Sequence, residues 1–374
     1  MSDQSQDADA RYMREALDLA RQGEAQASPN PLVGAVLVRD GQVVGRGFHT
    51  WAGIKHAEIL ALEEAGGQAR GATLYINLEP CCHQGRTGRC TAALIEAGVS
   101  RVVAALEDPN PLVAGDGMRQ LRAAGVQAEI DTRFSAEAAK LNEPFLHFMR
   151  TRLPLVTLKT ALTLDGKIAA PDDNRGWITS DKARGDVQQL RHHSDAILTG
   201  IGTVLADDCL LTDRTGLPRS RPLLRIVLDS RLRLPLDSQM VCSAAGDVLV
   251  VGTSAAPAER RKGLEDHGVR VLTLDGYDGR SNLRAAIEAV ARERYLSVLI
   301  EAGAKVNWAA LESGVADKIF FYYAPKILGG LESLSMAGGV GRRRRADAIR
   351  IHRTELHRIA PDEFAVEGYI IKEG

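Results

Sequence analysis

The sequence lacks any marked excess of one charge. Its 374 residues include 47 lysines and arginines against 48 aspartates and glutamates, which gives a net charge of −1 at pH 7. A general nucleic-acid-binding protein is normally basic, so this balance argues against that class. The dense basic block at 342–345 is interpreted as an exposed loop, because an isolated run of like charges is usually solvated.

Long apolar runs and a disulfide framework are also missing. No stretch approaches the roughly 20 apolar residues that a membrane-spanning helix needs, and residues 1–10 have no apolar signal core. Of the five cysteines, Cys81, Cys82 and Cys90 lie close together, which in a reducing compartment favours metal binding or catalysis over disulfides. We therefore expect a cytoplasmic protein of two or three domains.

The first half of the chain alternates apolar strands with helical patterns. This alternation predicts helices packed on a central, largely parallel sheet, with ligands bound beyond the strand ends. The pattern predicts strands at 32–38, 43–48, 72–78, 102–106 and 126–130, and helices at 10–23, 56–65, 91–97, 118–124 and 135–149.

A metal site is predicted where these elements begin and end. His56 and Cys90 open helices and Cys81 follows a strand, so one imidazole and two thiols can meet there, with Glu58 beside them. Three protein ligands are typical of a catalytic zinc, which keeps its fourth position for water. A structural zinc with four protein ligands is the alternative, and Cys82 or His83 could supply the fourth.

The chemistry of this set is that of a zinc deaminase. Such enzymes combine His-x-Glu with Pro-Cys and a second cysteine, and their glutamate moves protons without binding the metal. Zinc makes water a nucleophile at neutral pH, and Glu58 would return the proton to a ring nitrogen and then to the leaving amine. The gap from Cys81 to Cys90 is longer than in the short Cys-x-x-Cys signature.

The first half contains five recognisable motifs: Ser-Pro-Asn-Pro-Leu-Val-Gly at 28–34, His-Ala-Glu at 56–58, Leu-Glu-Pro-Cys-Cys-His at 78–83, Gly-Arg-Thr at 85–87 and Asp-Pro-Asn-Pro at 108–111. Together they resemble one family in particular, the bifunctional pyrimidine deaminase/uracil reductases of riboflavin biosynthesis. The resemblance implies His56, Cys81 and Cys90 as zinc ligands, with the long gap as a feature of this branch. It also implies Glu58 as the catalytic proton shuttle and substrate contacts from Asn30, His49, His83 and Arg86. Asn30 could instead be only a turn residue between two prolines.

The second half, after a basic, proline-bearing connector at 150–154, also alternates strands and helices. It lacks Gly-x-Gly-x-x-Gly, so a Rossmann dinucleotide site is unsupported. The turn at Glu301-Ala302-Gly303 precedes a helix at 306–311, where backbone N–H groups could bind a phosphate; a plain glycine turn is the alternative. Arg191 and Arg214 could bind a phosphate or simply be solvated.

The second half resembles the reductase half of the same family, in the motifs at 158–169, 177–180, 202–208, 301–303 and 324–330. The resemblance implies a fold like that of dihydrofolate reductase. It implies NADPH contacts from Ala161, Trp177, Thr203, Asp207, Ser230 and the turn Gly303, Ala304, Lys305, Val306, Asn307, Trp308 and Ala309. It implies substrate contacts from Arg175, Arg191, Leu211, Arg214 and Glu301.

The sequence therefore predicts an α/β protein of two domains. Residues 1–150 are expected to form a cytidine-deaminase-like three-layer αβα domain that deaminates a pyrimidine ribose phosphate with one Zn²⁺. Residues 151–374 are expected to form a dihydrofolate-reductase-like domain that reduces the ribosyl group of the product with NADPH. The expected partners are small molecules and further copies of the chain, as a dimer or higher oligomer, without nucleic acid or membrane.

Three other functions stay open at this point. The chain could deaminate a nucleoside or tRNA. It could be a non-catalytic zinc-binding module joined to a nucleotide-binding regulatory domain. It could also retain activity in only one of its halves.

Overall fold

A computed structural model describes residues 3–84, 88–110, 113–172, 176–276 and 279–372. The chain divides into two compact units, one formed by Met1–Arg152 with Pro218–Arg221 and the other by Leu153–Leu217 with Pro222–Gly374. Among the helices of these described ranges, none is both long and apolar enough to cross a membrane.

The first unit has five strands and six helices in its described part. They are α1 (Asp3–Arg21), β1 (Gly34–Arg39), β2 (Gln42–Phe48), α2 (Ala57–Ala65), β3 (Thr73–Ile76), α3 (Cys90–Glu96), β4 (Arg101–Ala104), α4 (Asp116–Ala123), β5 (Gln127–Ile130), α5 (Ser135–Leu141) and α6 (Glu143–Thr151). The strand order is β2-β1-β3-β4-β5. Strands β3, β4 and β5 are parallel, whereas β1 is antiparallel to both β2 and β3.

Both faces of this sheet are covered because the side chains of β1 alternate between them. Ala35 and Leu37 pack with the residues of α2, α3 and α4. Val36 and Val38 pack on the opposite face with α1 and α5. This arrangement is the predicted three-layer αβα fold.

Two details of the prediction for the first half were wrong. The sheet is mixed rather than largely parallel, since the hairpin β1–β2 brings in an antiparallel edge. The helix predicted at 135–149 is two helices that meet at Asn142. Pro144 lies in the first turn of the second helix, where its missing N–H is tolerated, but it could not continue the first helix. The side chain of Asn142 is instead bonded to the backbone of Leu32, accepting from its N–H at 2.8 Å and donating to its carbonyl at 2.9 Å.

The described part of the second unit has a nine-stranded sheet and a separate two-stranded sheet. The strands of the two sheets together are β6 (Leu155–Thr163), β7 (Lys167–Ala169), β8 (Ala196–Gly200), β9 (Leu224–Leu228), β10 (Val248–Gly252), β11 (Arg270–Thr273), β12 (Ser297–Glu301), β13 (Lys318–Ala324), β14 (Leu334–Ser335), β15 (Ile351–Ala360) and β16 (Glu363–Ile370). Its helices are α7 (Asp181–His192), α8 (Ile201–Asp207), α9 (Gln239–Cys242), α10 (Ala258–Asp266), α11 (Leu283–Arg292) and α12 (Ala304–Glu312).

The order in the large sheet is β11-β10-β9-β8-β12-β6-β13-β16-β15, and β7 pairs only with β14. The first seven strands in this spatial order, from β11 to β13, are all parallel to their neighbours. Strands β16 and β15 add an antiparallel edge. Neighbouring residues such as Ile226 and Val227 enter apolar cores on opposite faces. This topology is the predicted dihydrofolate-reductase-like α/β fold. The basic block 342–345 is exposed, as expected.

Candidate active sites

The structure brings the three predicted zinc ligands together. His56 directly precedes α2, Cys90 is the first residue of α3, and Cys81 follows β3. The Nδ1 atom of His56 lies 3.2 Å from Sγ of Cys90 and 3.5 Å from Sγ of Cys81. All three potential ligand atoms lie within 4.8 Å of one another. One imidazole nitrogen and two sulfurs at this spacing fit a zinc ion with one further coordination position.

Hydrogen bonds shift the pKa values of the two thiols in opposite directions. The hydrogen bond from Cys90 lowers the pKa of Cys81 to about 4, and His56 adds to this effect. The same bond, together with burial, raises the pKa of Cys90. Of the two thiols, Cys81 is therefore the one that ionises more readily.

Glu58 lies in the first turn of α2 and is only 3% exposed. Burial, followed by the charge of Cys81, raises its pKa to about 7, although a hydrogen bond with Cys90 acts in the opposite direction. A carboxyl group thus faces the potential metal ligands without belonging to their cluster.

The possible fourth ligands are not part of the cluster. Cys82 and His83 are both described, and neither belongs to the group formed by His56, Cys81 and Cys90. This geometry does not support a four-ligand structural zinc. The Nδ1 atom of His83 is buried without a hydrogen-bond partner in the described part of the chain. Arg86 lies outside the described residues.

Asn30 and His49 form a hydrogen-bonded pair next to the cluster of His56, Cys81 and Cys90. The His49 ring lies edge-on to the His56 ring, with their centroids 5.4 Å apart. The Nδ1 atom of His49 is 2.8 Å from the carbonyl oxygen of Lys55, and its Nε2 atom is 3.0 Å from Nδ2 of Asn30. Because the carbonyl can only accept, Nδ1 carries the proton and Nε2 accepts from the amide of Asn30. The side chain of Asn30 is therefore held in a defined orientation by His49.

Sequence reasoning missed the role of Glu79, which holds the segment that carries Cys81. Its buried carboxylate accepts hydrogen bonds from the backbone N–H groups of Asp108, Gly115 and Met118, at 3.1, 2.9 and 3.0 Å. A carboxylate at this place also suits the start of α4, where the helix dipole favours negative charge. The acidic residue between a strand and Pro-Cys was the available signal.

In the second unit the predicted cofactor residues occur near the carboxyl ends of parallel strands or in the segments that follow them. Strands β8 and β12 are neighbours, and each leads directly into a helix, α8 and α12. A methyl group on Gly200 would lie 2.8 Å from Cγ2 of Val306, so the starts of these helices are in close contact. Thr203 and Asp207 lie on α8, and the 303–309 turn forms the start of α12.

The remaining predicted cofactor residues are more dispersed. Ala161 lies in β6. Trp177 precedes α7 and is 69% exposed, with the guanidinium carbon of Arg184 4.9 Å from its ring centroid. Ser230 follows β9, and its hydroxyl accepts from the N–H of Ser281 at 2.9 Å. The structure thus places these residues on separate elements of the unit.

Two buried polar atoms in this region have no hydrogen-bond partner within the described ranges, Oγ1 of Thr199 and Oδ1 of Asn307. Buried polar groups are rarely left unsatisfied unless a ligand or water meets them. Together with the paired helix starts, they fit a phosphate-bearing cofactor.

A buried charge cluster lies at the end of β12. The Glu301 carboxylate accepts from Nε and Nη2 of Arg191 at 2.8 and 3.1 Å, and from Nζ of Lys159 at 3.2 Å. Burial alone would raise the pKa of Glu301, but the charges of Lys159 and Arg191 outweigh it and lower the pKa to about 2. Glu301 is therefore ionised at neutral pH.

The other predicted substrate residues lie on the loop after α8. Leu211 is buried with φ of +52°, and Arg214 is exposed. The Nη1 atom of Arg191 donates to the carbonyl oxygen of Thr212 at 3.1 Å, which connects this loop to the charge cluster. Arg175 lies outside the described residues.

Two family models match this chain, one in each of its two compact units. Residues 6–106 match the cytidine and deoxycytidylate deaminase zinc-binding region, and residues 154–362 match the RibD C-terminal domain. The first unit is thus a zinc deaminase domain and the second a reductase domain. A zinc ion and a nicotinamide cofactor are the groups that such domains use.

The similarity extends over nearly the whole chain. The riboflavin biosynthesis protein RibD of Bacillus amyloliquefaciens is 40% identical over 94% of both chains. That of Escherichia coli is 40% identical over 95% of this chain and 97% of its own.

Solved structures are also similar to this chain over nearly its whole length. A RibD structure from Acinetobacter baumannii superposes with a TM-score of 0.86 at 38% identity, covering 98% of this chain and 99% of that one. A Thermotoga maritima structure, described as a diaminohydroxyphosphoribosylaminopyrimidine deaminase/5-amino-6-(5-phosphoribosylamino)uracil reductase, superposes with a TM-score of 0.81 at 33% identity, covering 97% of this chain and 99% of that one. The chain therefore belongs to the RibD family of riboflavin biosynthesis and is a bifunctional deaminase and reductase.

Proposed function

We propose that the two units catalyse consecutive steps on one pyrimidine ribose phosphate. Residues 1–150 deaminate 2,5-diamino-6-(5-phosphoribosylamino)pyrimidin-4-one, and residues 151–374 reduce the ribosyl group of 5-amino-6-(5-phosphoribosylamino)uracil to ribityl with NADPH. The observation that carries the proposal is the three-ligand cluster with Glu58 beside it, in a chain similar to RibD proteins over nearly its full length.

In the deaminase, His56, Cys81 and Cys90 hold the zinc ion. Zinc at this site supplies a Lewis acid that makes water a nucleophile at neutral pH. The burial of Glu58 and its hydrogen bond with Cys90 support a role for its carboxyl group in that chemistry.

Glu58 is the group that moves the protons. It accepts a proton from the attacking water, delivers it to the ring nitrogen, and then transfers a proton to the departing amino group. The C–O bond forms first, and the C–N bond breaks once the amino group has received the proton of the added hydroxyl, so that water and the amino-substituted carbon give a carbonyl and ammonia. General acid–base catalysis by a positioned carboxyl is worth about 10²- to 10⁴-fold in rate.

Four residues form the site for the pyrimidine substrate, three by direct contact and His49 through Asn30. Asn30, oriented by His49, presents its amide to the pyrimidine edge, and His83 has a buried ring nitrogen that a ligand can satisfy. Arg86 binds the phosphate, for which a guanidinium is well suited. His49 completes the set by fixing the amide of Asn30.

In the reductase, NADPH is held by the paired helix starts and the residues around them. A reduced nicotinamide bound there would supply a hydride to the ribosyl carbon in its opened aldehyde or imine form, and a proton taken up from water on the neighbouring oxygen or nitrogen would complete the ribityl group. The cofactor contacts are Ala161, Trp177, Thr203, Asp207, Ser230, Gly303, Ala304, Lys305, Val306, Asn307, Trp308 and Ala309. The substrate contacts are Arg175, Arg191, Leu211, Arg214 and Glu301, with Arg191 and Arg214 on the phosphate.

Glu58→Gln tests the assignment of the deaminase. We expect zinc content to be unchanged and ammonia release to fall by at least about 100-fold, because the fold and the ligands stay while the proton carrier is lost. Glu63→Gln is the matched control, since Glu63 is exposed on the same helix. Full ammonia release by the Glu58 variant would contradict the proposal, as would loss of its zinc.

The same variant tests the independence of the reductase. Supplied with the deaminated product, it should oxidise NADPH at the wild-type rate, and NADH should be used less well. Failure of the wild-type chain to oxidise NADPH with this product would contradict the reductase assignment. We further propose that the enzyme is cytoplasmic and forms a dimer or higher oligomer. Light scattering after size-exclusion chromatography measures the oligomeric state.

A further inference from the structure

The loop 208–215 is tied to the last turn of α7 by side chains that have no assigned part in the reaction. The imidazole of His192 donates from Nδ1 to Oδ2 of Asp213 at 2.8 Å, and both side chains are buried, with 3% and 6% exposure. The hydroxyl of Thr215 donates to the other carboxylate oxygen of Asp213, also at 2.8 Å. The side-chain oxygen of Gln188 accepts from the N–H of Arg214 at 2.9 Å.

The backbone of this loop would not adopt its conformation easily without such ties. Asp208 has φ of +41° and Leu211 has φ of +52°, both in the left-handed region that non-glycine residues rarely occupy. Residues held in this region cost conformational energy and persist only where surrounding contacts enforce them. The loop is therefore kept in a strained, defined shape.

The loop presents one cation. Within the described part of the chain, the guanidinium of Arg214 has no hydrogen-bond or ion-pair partner, although its backbone is fixed. Arg191, on the helix to which the loop is tied, also bonds the loop through the carbonyl of Thr212. The relative position of the two arginines thus depends on the contacts between α7 and the loop.

We propose that the His192–Asp213 pair is a positioning device that sets Arg214 relative to Arg191 for binding the substrate's phosphate. The inference rests on the proposed substrate contacts of these two arginines. Whether or not the imidazole is charged, its N–H donates to an acceptor-only carboxylate, so the tie needs only an ionised Asp213. Misplacing one of two convergent groups by about 1 Å can cost up to about 100-fold in rate.

Asp213→Asn is the main test, because it keeps the shape of the side chain and removes the carboxylate. We expect the KM for the ribosyl-phosphate substrate to rise about tenfold, with kcat and the KM for NADPH within about threefold of wild type. The affinity for ribose 5-phosphate, measured by calorimetry, should fall by the same factor. Glu367→Gln, in the similarly buried pair with Lys318, is the control for a purely structural effect.

Two variants of His192 provide a second measurement if the Asp213 variant folds poorly. His192→Asn retains an N–H near the position of Nδ1 and should keep the KM within about threefold. His192→Leu fills a similar volume without a donor and should raise the KM as Asp213→Asn does. A KM that stays at the wild-type value in Asp213→Asn and His192→Leu, with only the melting temperature lowered, would overturn the inference.

Arg214→Ala separates this inference from the proposed function. We expect it to raise the substrate KM by itself, and Asp213→Asn to add little in the double variant, because both act on one contact. No effect of Arg214→Ala would contradict the proposed substrate contact. An effect of Arg214→Ala without an effect of Asp213→Asn would contradict only the positioning role.

Discussion

Replacing Glu301 by glutamine should destabilise the reductase unit in a manner that depends on pH. The carboxylate is buried between Arg191 and Lys159, with three hydrogen bonds of 2.8 to 3.2 Å. Glutamine preserves the shape but leaves two cations without a counter-charge. Breaking a buried ion pair by removing one partner typically costs about 3 to 5 kcal/mol.

The pKa of Glu301 gives a similar estimate of what its charge contributes to the free energy of unfolding. Its pKa is about 2 in the folded chain against an ordinary value of 4.5. At 1.36 kcal/mol per pKa unit, the ionised form contributes about 3 kcal/mol to the free energy of unfolding at pH 7. Because the pKa of the folded state is the lower one, this contribution is complete above pH 4.5 and is lost as the pH falls towards 2.

The assay uses the three tryptophans of the chain. In a Trp51→Phe background the remaining two belong to the second unit, so urea unfolding followed by fluorescence reports that unit. We expect Glu301→Gln to lower its free energy of unfolding by about 3 kcal/mol at pH 7 and by about 1 kcal/mol at pH 3. The exposed Glu259→Gln should leave it unchanged.

Two results would refute this reasoning. One is an unfolding free energy for Glu301→Gln within about 0.5 kcal/mol of the parent at pH 7, the range of ordinary surface substitutions. The other is a difference that stays constant between pH 7 and pH 3, which would mean that the charge of Glu301 contributes nothing to it.

Three further predictions concern the deaminase unit. Gly34→Ala would place Cβ 2.1 Å from the carbonyl oxygen of Ala16, so β1 must move away from α1, and we expect thermal unfolding to show a loss of about 1 to 3 kcal/mol. Glu79→Gln replaces an acceptor of three backbone N–H groups, and the loss of charge-assisted bonds should lower ammonia release and the temperature at which zinc is lost, while NADPH oxidation stays unchanged. Removal of the metal by a chelator should abolish ammonia release and leave NADPH oxidation intact, and equal loss of both activities would contradict the separation of the two sites.

The core of the deaminase site could be predicted from the sequence because its parts are local. His56 and Glu58 are two residues apart at a helix start, and Cys81 follows an apolar strand. Ligand chemistry then restricts what these groups can do together. The cap of α7 is equally local, since the hydroxyl of Ser180 accepts from the N–H of Ala183, three residues further on.

Other features could not be predicted because they depend on contacts between distant parts of the chain. Glu79 accepts from N–H groups 29 to 39 residues away, and Arg191 is 110 residues from Glu301. No local pattern indicates which polar groups such packing will bring together. The edge strand β15 is mostly exposed and has few apolar residues, so no apolar pattern marks it in the sequence.

The sequence by itself thus determined the alternating elements, the candidate zinc ligands and, by resemblance, the pairing of a deaminase with a reductase. Ligand chemistry and apolar periodicity are written in residue types and spacings, so they can be recognised without coordinates. The tertiary structure decided that three rather than four ligands converge, that His49 orients Asn30, and that Glu301 is ionised between two cations. Orientation, burial and pKa depend on what surrounds a side chain, and folding brings those surroundings from all along the chain.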